Sequence, residues 1–473
     1  NMKQPAKRTV MTCLDQRAAF DKVPIKKLCV DLHESLNEAK ISKWLTNYLS
    51  KRIIKANFGN HSSKWCTLLG GVPQGSVLSP NLFSFYMRNM PIHPKTEITV
   101  YADDTTILAQ DTNPFKAGEL IQEHLDLLYD FFNERKMSIS AEKSTTTLFT
   151  CDTKEFKTKI PVNWNGAEIP TTNQVRLLGV HLNTMCGSKD HVAETRKKMM
   201  VSTNILKALS GTKWGCSKEL LISTAKALVK PIAIYGAPAW SQLLSETNLN
   251  KLEAAYRNTL RTCCGLTSDT PIEHIYAEAQ MMPLKEEFEL AKQQTYIATT
   301  KSGTHPNRNL ESRRNTERRS NRPREPPLNL QEATKTHLSR LKGTKAEAQK
   351  ANHTRFVREF LNSAPPNRIL GATPPPLNSS EESSLPKATR TELARLRCGH
   401  SLLIPRYKAR IEGTPIGTCG CGDNEGGIDH YLSCGRSHPI SKEKLWTSPM
   451  EAARALGLAY KPYDPGGGAT TSV

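Results

Sequence analysis

Ile98-Thr99-Val100-Tyr101-Ala102-Asp103-Asp104-Thr105-Thr106-Ile107-Leu108 sets two apolar, β-branched runs on either side of paired carboxylates. Two such runs around a short polar pair predict a β-hairpin with the aspartates at its turn. On a regular strand, neighbouring side chains point to opposite faces, so only a bend lets both help form one acidic site. Asp is also an ordinary turn residue, and the pair gains meaning only from its surroundings. Upstream, Arg8 to Leu14 is another β-like run, ending at Asp15 and followed by Ala19-Phe20-Asp21. Between them stands Gly70-Gly71-Val72-Pro73-Gln74-Gly75-Ser76-Val77-Leu78-Ser79-Pro80, whose Gly and Pro content fixes an irregular loop. Ser79-Pro80 is a sound helix start, predicting a helix over 81–88. Downstream, Leu120 to Phe132 has helical spacing. Met137 to Ser144, with Glu142-Lys143, reads as the end of a helix leading into a strand over 145–149, and Val175 to Val180 follows.

Three carboxylates in one place repel each other and are tolerable when cations occupy the site. Hard oxygen ligands select Mg²⁺, and two such ions roughly 4 Å apart clamp the entering and leaving oxygens of a phosphoryl displacement. A polar Gln in a Gly-flanked loop can approach a nucleotide closely.

This ordered set resembles the reverse transcriptase family, in particular the jockey-like LINE elements among non-LTR retrotransposons. The resemblance rests on Leu14-Asp15 with Ala19-Phe20-Asp21, on Gly71 to Pro80, on Tyr101-Ala102-Asp103-Asp104, on Glu142-Lys143 and on Leu178-Gly179. It implies an α+β right-hand polymerase fold, with a palm of antiparallel sheet packed on helices, a helical thumb and a small C-terminal Cys/His module. The implied activity is RNA-directed DNA synthesis by target-primed reverse transcription, joining dNTPs to a DNA primer on an RNA template. The element RNA is an implied ribonucleoprotein partner. Asp15 and Asp103 would ligate both Mg²⁺ ions, supported by Asp104. Phe20 would lie beneath the sugar and exclude a 2′-hydroxyl. Gln74, Gly75 and Tyr101 would meet the nucleotide, and Lys143 would protonate departing pyrophosphate. Plain readings stand beside these: a core aromatic for Phe20, a solvated cation for Lys143. Asp21 is read as structural.

Lys and Arg number 65 against 45 Asp and Glu over 473 residues, a formal charge of +20. That excess points to a polyanionic partner, most simply nucleic acid. The most apolar run, Leu220 to Trp240, is interrupted by Lys226 and Lys230, so no membrane span is expected. With no secretory signal, twelve cysteines imply a reducing, intracellular setting, in cytoplasm and nucleus.

The expected divisions are a palm over 1–185, a helical thumb over 186–300, a basic flexible region over 301–389, a Cys/His module over 390–440 and a tail over 441–473. Arg196, Lys197, Lys198, Lys207, Lys213 and Lys218 are candidates for the thumb's phosphate-facing charge. Residues 308–324 carry seven Arg and almost nothing apolar, predicting a solvated, flexible arm that is a candidate for binding nucleic acid, with a disordered linker carrying incidental Arg as the plain reading. A basic helix is expected over 335–361 and a Pro/Ser-rich linker over 365–386. Cys419, Cys421, His430 and Cys434 offer three thiols and an imidazole, enough for a closed tetrahedral Zn²⁺ site. The Cys-x-Cys pair departs from the commoner Cys-x-x-Cys, with Cys398 and His400 as substitute ligands. Cys263-Cys264 reads as buried apolar filling.

Asn1 is not an initiating Met, and a fingers subdomain and an endonuclease are expected ahead of Asp15. Two rival readings are carried forward. One is a catalytically incomplete remnant that binds nucleic acid through the arm and the Cys/His knuckle. The other is a group II intron or telomerase-like relative.

Overall fold

The computed structural model describes residues 7–211, 215–302, 330–417, 419, 421–422, 425–435 and 439–459. The arginine arm at 308–324, Lys213 and residues 460–473 lie outside the described residues. The chain divides into two compact units, one running to Asp190 and the other from His191.

The first unit is built on a four-stranded antiparallel sheet. Its elements run β1 (Arg8–Gln16), α1 (Ala19–Lys22), α2 (Ile25–Ser35), α3 (Ala39–Leu49), β2 (Ile53–Ile54), β3 (Asn57–Phe58), β4 (His61–Ser62), β5 (Cys66–Thr67), α4 (Ser79–Tyr86), β6 (Thr96–Tyr101), β7 (Asp104–Asp111), α5 (Pro114–Glu134) and β8 (Ile139–Phe149). Four short strands close it: β9 (Asn163–Trp164), β10 (Ala167–Glu168), β11 (Gln174–Leu177) and β12 (Val180–Asn183). The main sheet has the order β6-β7-β1-β8.

Alternation along the strands sorts the two faces. Val10, Leu14, Ile107 and Ala109 are buried in one core with Ile121, Leu125, Leu128 and Phe132 of α5. Met11 joins a separate, smaller cluster with Phe149 and Val175. α5 is a clean amphipathic helix, capped by Asn113, whose side chain accepts from the Phe115 N–H. α4 begins at Ser79-Pro80 as the sequence predicts and buries Leu82, Phe83 and Tyr86.

β8 departs from expectation. Helix α5 stops at Glu134, and the strand starts already at Ile139, so Glu142 and Lys143 lie within it. The reason is a bulge. Cys13 pairs with Thr145 but Asp15 pairs with Ser140, leaving residues 141–144 opposite Leu14 alone. An interruption of that length hides the strand's period of two.

The second unit is helical among the described residues. It comprises α6 (Lys189–Leu209), α7 (Lys218–Leu228), α8 (Lys230–Ile234), α9 (Ala237–Trp240), α10 (Glu246–Cys264), α11 (Ile272–Ala279), α12 (Leu284–Lys301), α13 (Glu332–Arg340), α14 (Lys345–Ser363), α15 (Ser379–Ser383), α16 (Lys387–Arg397), α17 (Pro405–Glu412), α18 (Ile428–Ser433), α19 (Lys444–Thr447) and α20 (Pro449–Ala455). α10 ends at Gly265 in a left-handed conformation. By length and composition Lys218–Leu243 could cross a membrane. It is nonetheless broken into α7, α8 and α9, with Pro231 and Gly236 at the breaks, and it buries Ala225, Ala233, Ala237 and Trp240.

Three expectations for this unit are corrected. The basic helix over 335–361 is two helices, α13 and α14, because Gly343 takes φ +90° and Thr344 with Glu347 forms a capping box that starts α14. The Pro/Ser-rich stretch over 365–386 is packed rather than loose. Asn367 is buried and bonds to the His274 ring, and Glu382 of α15 sits in a buried ion cluster. The tail expected over 441–473 is corrected as well: Leu445, Trp446 and Ala452 share a hydrophobic core with Leu385, Leu393 and Ile404, so α19 and α20 belong to the folded body.

Candidate active site and metal centre

Asp15 reaches its position through strand register. β1 and β7 pair antiparallel, with Leu14 opposite Thr105, so one further step sets Asp15 across from Asp104. Opposite residues of an antiparallel pair hold their Cβ atoms roughly 4.5–5.5 Å apart. Both aspartates project from the face that carries Met11 and Leu108, opposite the one α5 covers. The hairpin closes between Tyr101 and Asp104, leaving Ala102 and Asp103 as its two-residue loop. Ala102 takes φ +53°, a left-handed conformation uncommon for a residue with a Cβ, and this sharp bend puts Asp103 beside Asp104.

The electrostatics agree with that convergence. Partial burial, then the charges of Asp103 and Asp15, push the Asp104 carboxyl above the ordinary aspartate value. Three carboxylates in mutual repulsion, with hard oxygen donors only, form a set that fits divalent cations such as Mg²⁺.

Behind Asp15, the fully buried Ser144 ties the bulge of β8 to β1. Its Oγ accepts the Asp15 N–H at 3.0 Å and donates to the Ser140 carbonyl at 2.7 Å. This serine has no sequence signal beyond its place beside Glu142-Lys143. Those two side chains are exposed.

The Gly-rich loop is locked onto the segment after β1. The N–H groups of Gly71 and Val72 donate to the carbonyls of Val23 and Phe20, each at 2.9 Å. Gly71 takes φ +78°, and a Cβ there would lie 2.8 Å from the Asp21 Cα and carbonyl oxygen. Only glycine permits that approach. Arg52 donates to the Gly70 carbonyl at 3.0 Å and to that of Gly71 as well, while the Tyr48 hydroxyl bonds to Ser76 Oγ at 2.6 Å. Neither Arg52 nor Tyr48 was singled out from the sequence. Gln74 is exposed, and its Nε2 donates to Asp21 Oδ1 at 2.9 Å, so Asp21 orients the loop's glutamine. Gly75 takes φ +86° with open space around it. Phe20 is half-buried and stacks on Phe83 at 4.5 Å between ring centres. Tyr101 is exposed.

In the second unit, Cys419, Cys421, His430 and Cys434 place their ligand atoms within 4.8 Å of one another. Cys419 Sγ is 3.5 Å from Cys434 Sγ, and Cys421 Sγ is 3.7 Å from His430 Nδ1. Tetrahedral Zn²⁺ with bonds of about 2.3 Å needs ligand atoms about 3.8 Å apart, so the donor set fits that ion despite the tight Cys-x-Cys. Cys398 and His400 stand elsewhere: Cys398 is buried, and His400 bonds through Nδ1 to the Cys398 carbonyl oxygen. Cys263 and Cys264 are buried, as expected of apolar filling.

Of the cations assigned to the helical unit, Arg196, Lys197, Lys198 and Lys207 are exposed. Lys218 is not available to a phosphate. It is tied to Glu278 at 2.5 Å and Glu382 at 3.7 Å, within a buried cluster completed by Arg397.

Residues 1–182 match the profile of the reverse transcriptase (RNA-dependent DNA polymerase) family. Over those residues the chain is similar to a reverse transcriptase domain. Its relatives are reverse transcriptases of non-LTR retrotransposons. It is 26% identical over 260 residues to the RNA-directed DNA polymerase from mobile element jockey of Drosophila melanogaster, covering 53% of this chain and 28% of that protein. It is 25% identical to the probable RNA-directed DNA polymerase from transposon X-element of the same fly, over 63% of this chain and 34% of the relative. A third relative, at 24% identity, is the Pol polyprotein from type-1 retrotransposable element R1 2 of Nasonia vitripennis, with 45% and 54% covered. The chain thus spans about a third of the two fly relatives. Among solved structures, apo telomerase from Candida tropicalis aligns at 11% identity over 64% of this chain and 52% of that one, with a TM-score of 0.31, too low to bear on the reverse transcriptase assignment.

Proposed function

We propose that this chain is the palm and downstream part of a non-LTR retrotransposon polymerase that copies an RNA template by extending a DNA primer. The observation that carries the reading is the meeting of Asp15 and Asp104 on one face of the sheet, with Asp103 beside them at the hairpin turn and the Gly-rich loop held to the segment after β1. Asp15 and Asp103 hold two Mg²⁺ ions, and Asp104 supports them. Bound there, the ions would stabilise charge on the attacking primer 3′-oxygen and on the pyrophosphate that leaves as the new bond to the α-phosphorus forms.

The chain's own residues do the rest. Phe20, braced by Phe83, presents a rigid ring against the sugar of the incoming dNTP. Gln74, Gly75 and Tyr101 border that nucleotide, with Gln74 oriented by Asp21. Lys143 supplies a proton to pyrophosphate. Helices α6–α12 act as the thumb, and the exposed Arg196, Lys197, Lys198 and Lys207 meet duplex phosphates. The Cys/His quartet holds Zn²⁺, which stabilises its small module. Template RNA, primer and the element's ribonucleoprotein are the partners, in an intracellular setting.

Primer extension on an RNA template with Mg²⁺ tests the reading. Asp103→Ala is expected to lower extension roughly 100-fold or more. Extension that survives this change overturns the assignment. Absence of extension in the unaltered chain, with salt-sensitive RNA binding intact, favours the non-catalytic remnant instead.

A further inference from the structure

Between Glu38 and Glu97 the chain contains no Asp or Glu and eight Lys or Arg. The centre of this acid-free stretch is a hairpin. Ile53 and Ile54 of β2 pair with Thr67 and Cys66 of β5, and Asn57 and Phe58 of β3 pair with Ser62 and His61 of β4. Every residue from Ile53 to Thr67 is exposed. Phe58 is 88% exposed at the tip, and Trp65 is 62% exposed beside the Lys55 ammonium, which lies 5.2 Å from its ring centre. A lone two-stranded hairpin is marginally stable in water, and aromatic side chains set out on one gain by being covered.

The base of the hairpin is fixed to the candidate active site. Arg52, immediately before β2, donates to the carbonyls of Gly70 and Gly71 in the loop that carries Gln74. The Leu68 N–H returns to the Arg52 carbonyl at 2.9 Å, closing the two arms together. The hairpin is therefore a short, basic, aromatic-bearing projection rooted in the nucleotide-side loop.

We infer that this hairpin is a docking surface for the single-stranded RNA template beside the polymerase site. The composition selects the occupant. Lys51, Arg52, Lys55 and Lys64 supply positive charge with no acidic residue to offset it, and Phe58 and Trp65 offer faces on which unpaired bases stack. A duplex keeps its base faces covered, so the aromatic pair favours an unpaired strand. On the proposed polymerase function, on which this inference rests, the unpaired strand at the site is the RNA not yet copied, because the primer is paired.

The test compares, with the full chain, the affinity for a blunt primer–template duplex and for the same duplex carrying an RNA overhang of about 10 nucleotides, within the span such platforms cover. The overhang is expected to raise affinity. Trp65→Ala and Phe58→Ala are each expected to reduce that gain roughly fivefold or more while blunt-duplex affinity stays within about twofold. Trp65→Phe is expected to retain most of the gain, since it keeps a stacking face. Lys55→Glu with Lys64→Glu should flatten the salt dependence of overhang binding by roughly one to two ions. Because Trp65 and Phe58 are exposed, circular dichroism of the variants should match the parent. An unchanged gain in Trp65→Ala and Phe58→Ala overturns the inference. So does a change in sedimentation on either substitution, which assigns the face to a second copy, or loss of binding to anionic lipid vesicles in place of RNA. Primer extension by the same proteins separates the two proposals. A chain that does not extend primers but loses overhang binding with Trp65→Ala retains the surface and discards the polymerase.

Discussion

Gly71 does at one position what no other residue can. Its φ of +78° lies in the left-handed region, and an added Cβ would press on Asp21 backbone atoms at 2.8 Å. Neither strain is relieved by turning a flexible side chain, because the obstacle is main chain. Gly71→Ala is therefore expected to destabilise the first unit by roughly 2–4 kcal/mol, combining the left-handed penalty with the clash. A urea titration followed by near-ultraviolet circular dichroism checks it; an unchanged midpoint means that the loop is not held against Asp21. The same substitution should disturb Gln74, whose amide reaches Asp21 Oδ1. Ala102 shows the complementary case, a left-handed φ of +53° kept in a residue with a Cβ, beside the carboxylates it helps to aim. From the sequence, Gly71 was legible as a loop glycine. Its close approach to Asp21 was not, since that depends on where a second segment folds.

Whole elements were legible where one physical signal ran unbroken. α5 carries apolar residues at helical spacing for its full length, and β6 with β7 shows two β-branched runs about a polar turn. Legibility failed where the signal was short or interrupted. The bulge hides half of β8, and β2 to β5 are two residues each, too short for a period to emerge. Residues 365–386 read as linker by composition, yet Leu385 joins the core and Glu382 of α15 is buried and paired with Arg397. The Cys/His element was recognisable by residue type despite its atypical spacing, and there geometry added what spacing withheld. One Zn²⁺ per chain is expected under native mass spectrometry, lost in Cys434→Ala, with chelation unfolding the residues around α18. Zinc that survives Cys434→Ala would place the ion elsewhere.

At the scale of the whole molecule, the two units answer acid differently at their clustered charges. In the first, Asp104 has its carboxyl pushed up by burial and by Asp103 and Asp15, so protonation relieves repulsion in the folded state. In the second, Arg397 and Glu382 are each 1% exposed and bonded at 2.8 Å, and Glu278 joins Arg397 at 3.0 Å and Lys218 at 2.5 Å. Burial alone would raise the Glu278 carboxyl, but Lys218 and Arg397 outweigh it and hold the group down to about 2, far below its ordinary 4.5. The sign follows from that depression. The stabilisation is fully present above about pH 4.5, where the unfolded group is also ionised, and is lost as pH falls toward 2. Glu278→Gln leaves two buried cations facing one carboxylate and is expected to cost the helical unit about 3–5 kcal/mol at pH 7. That cost should shrink between pH 4.5 and 2, as the parent chain protonates the same group. Urea midpoints of parent and variant across this range decide the matter: a difference that stays constant with pH would mean that Glu278 is not held ionised by Lys218 and Arg397.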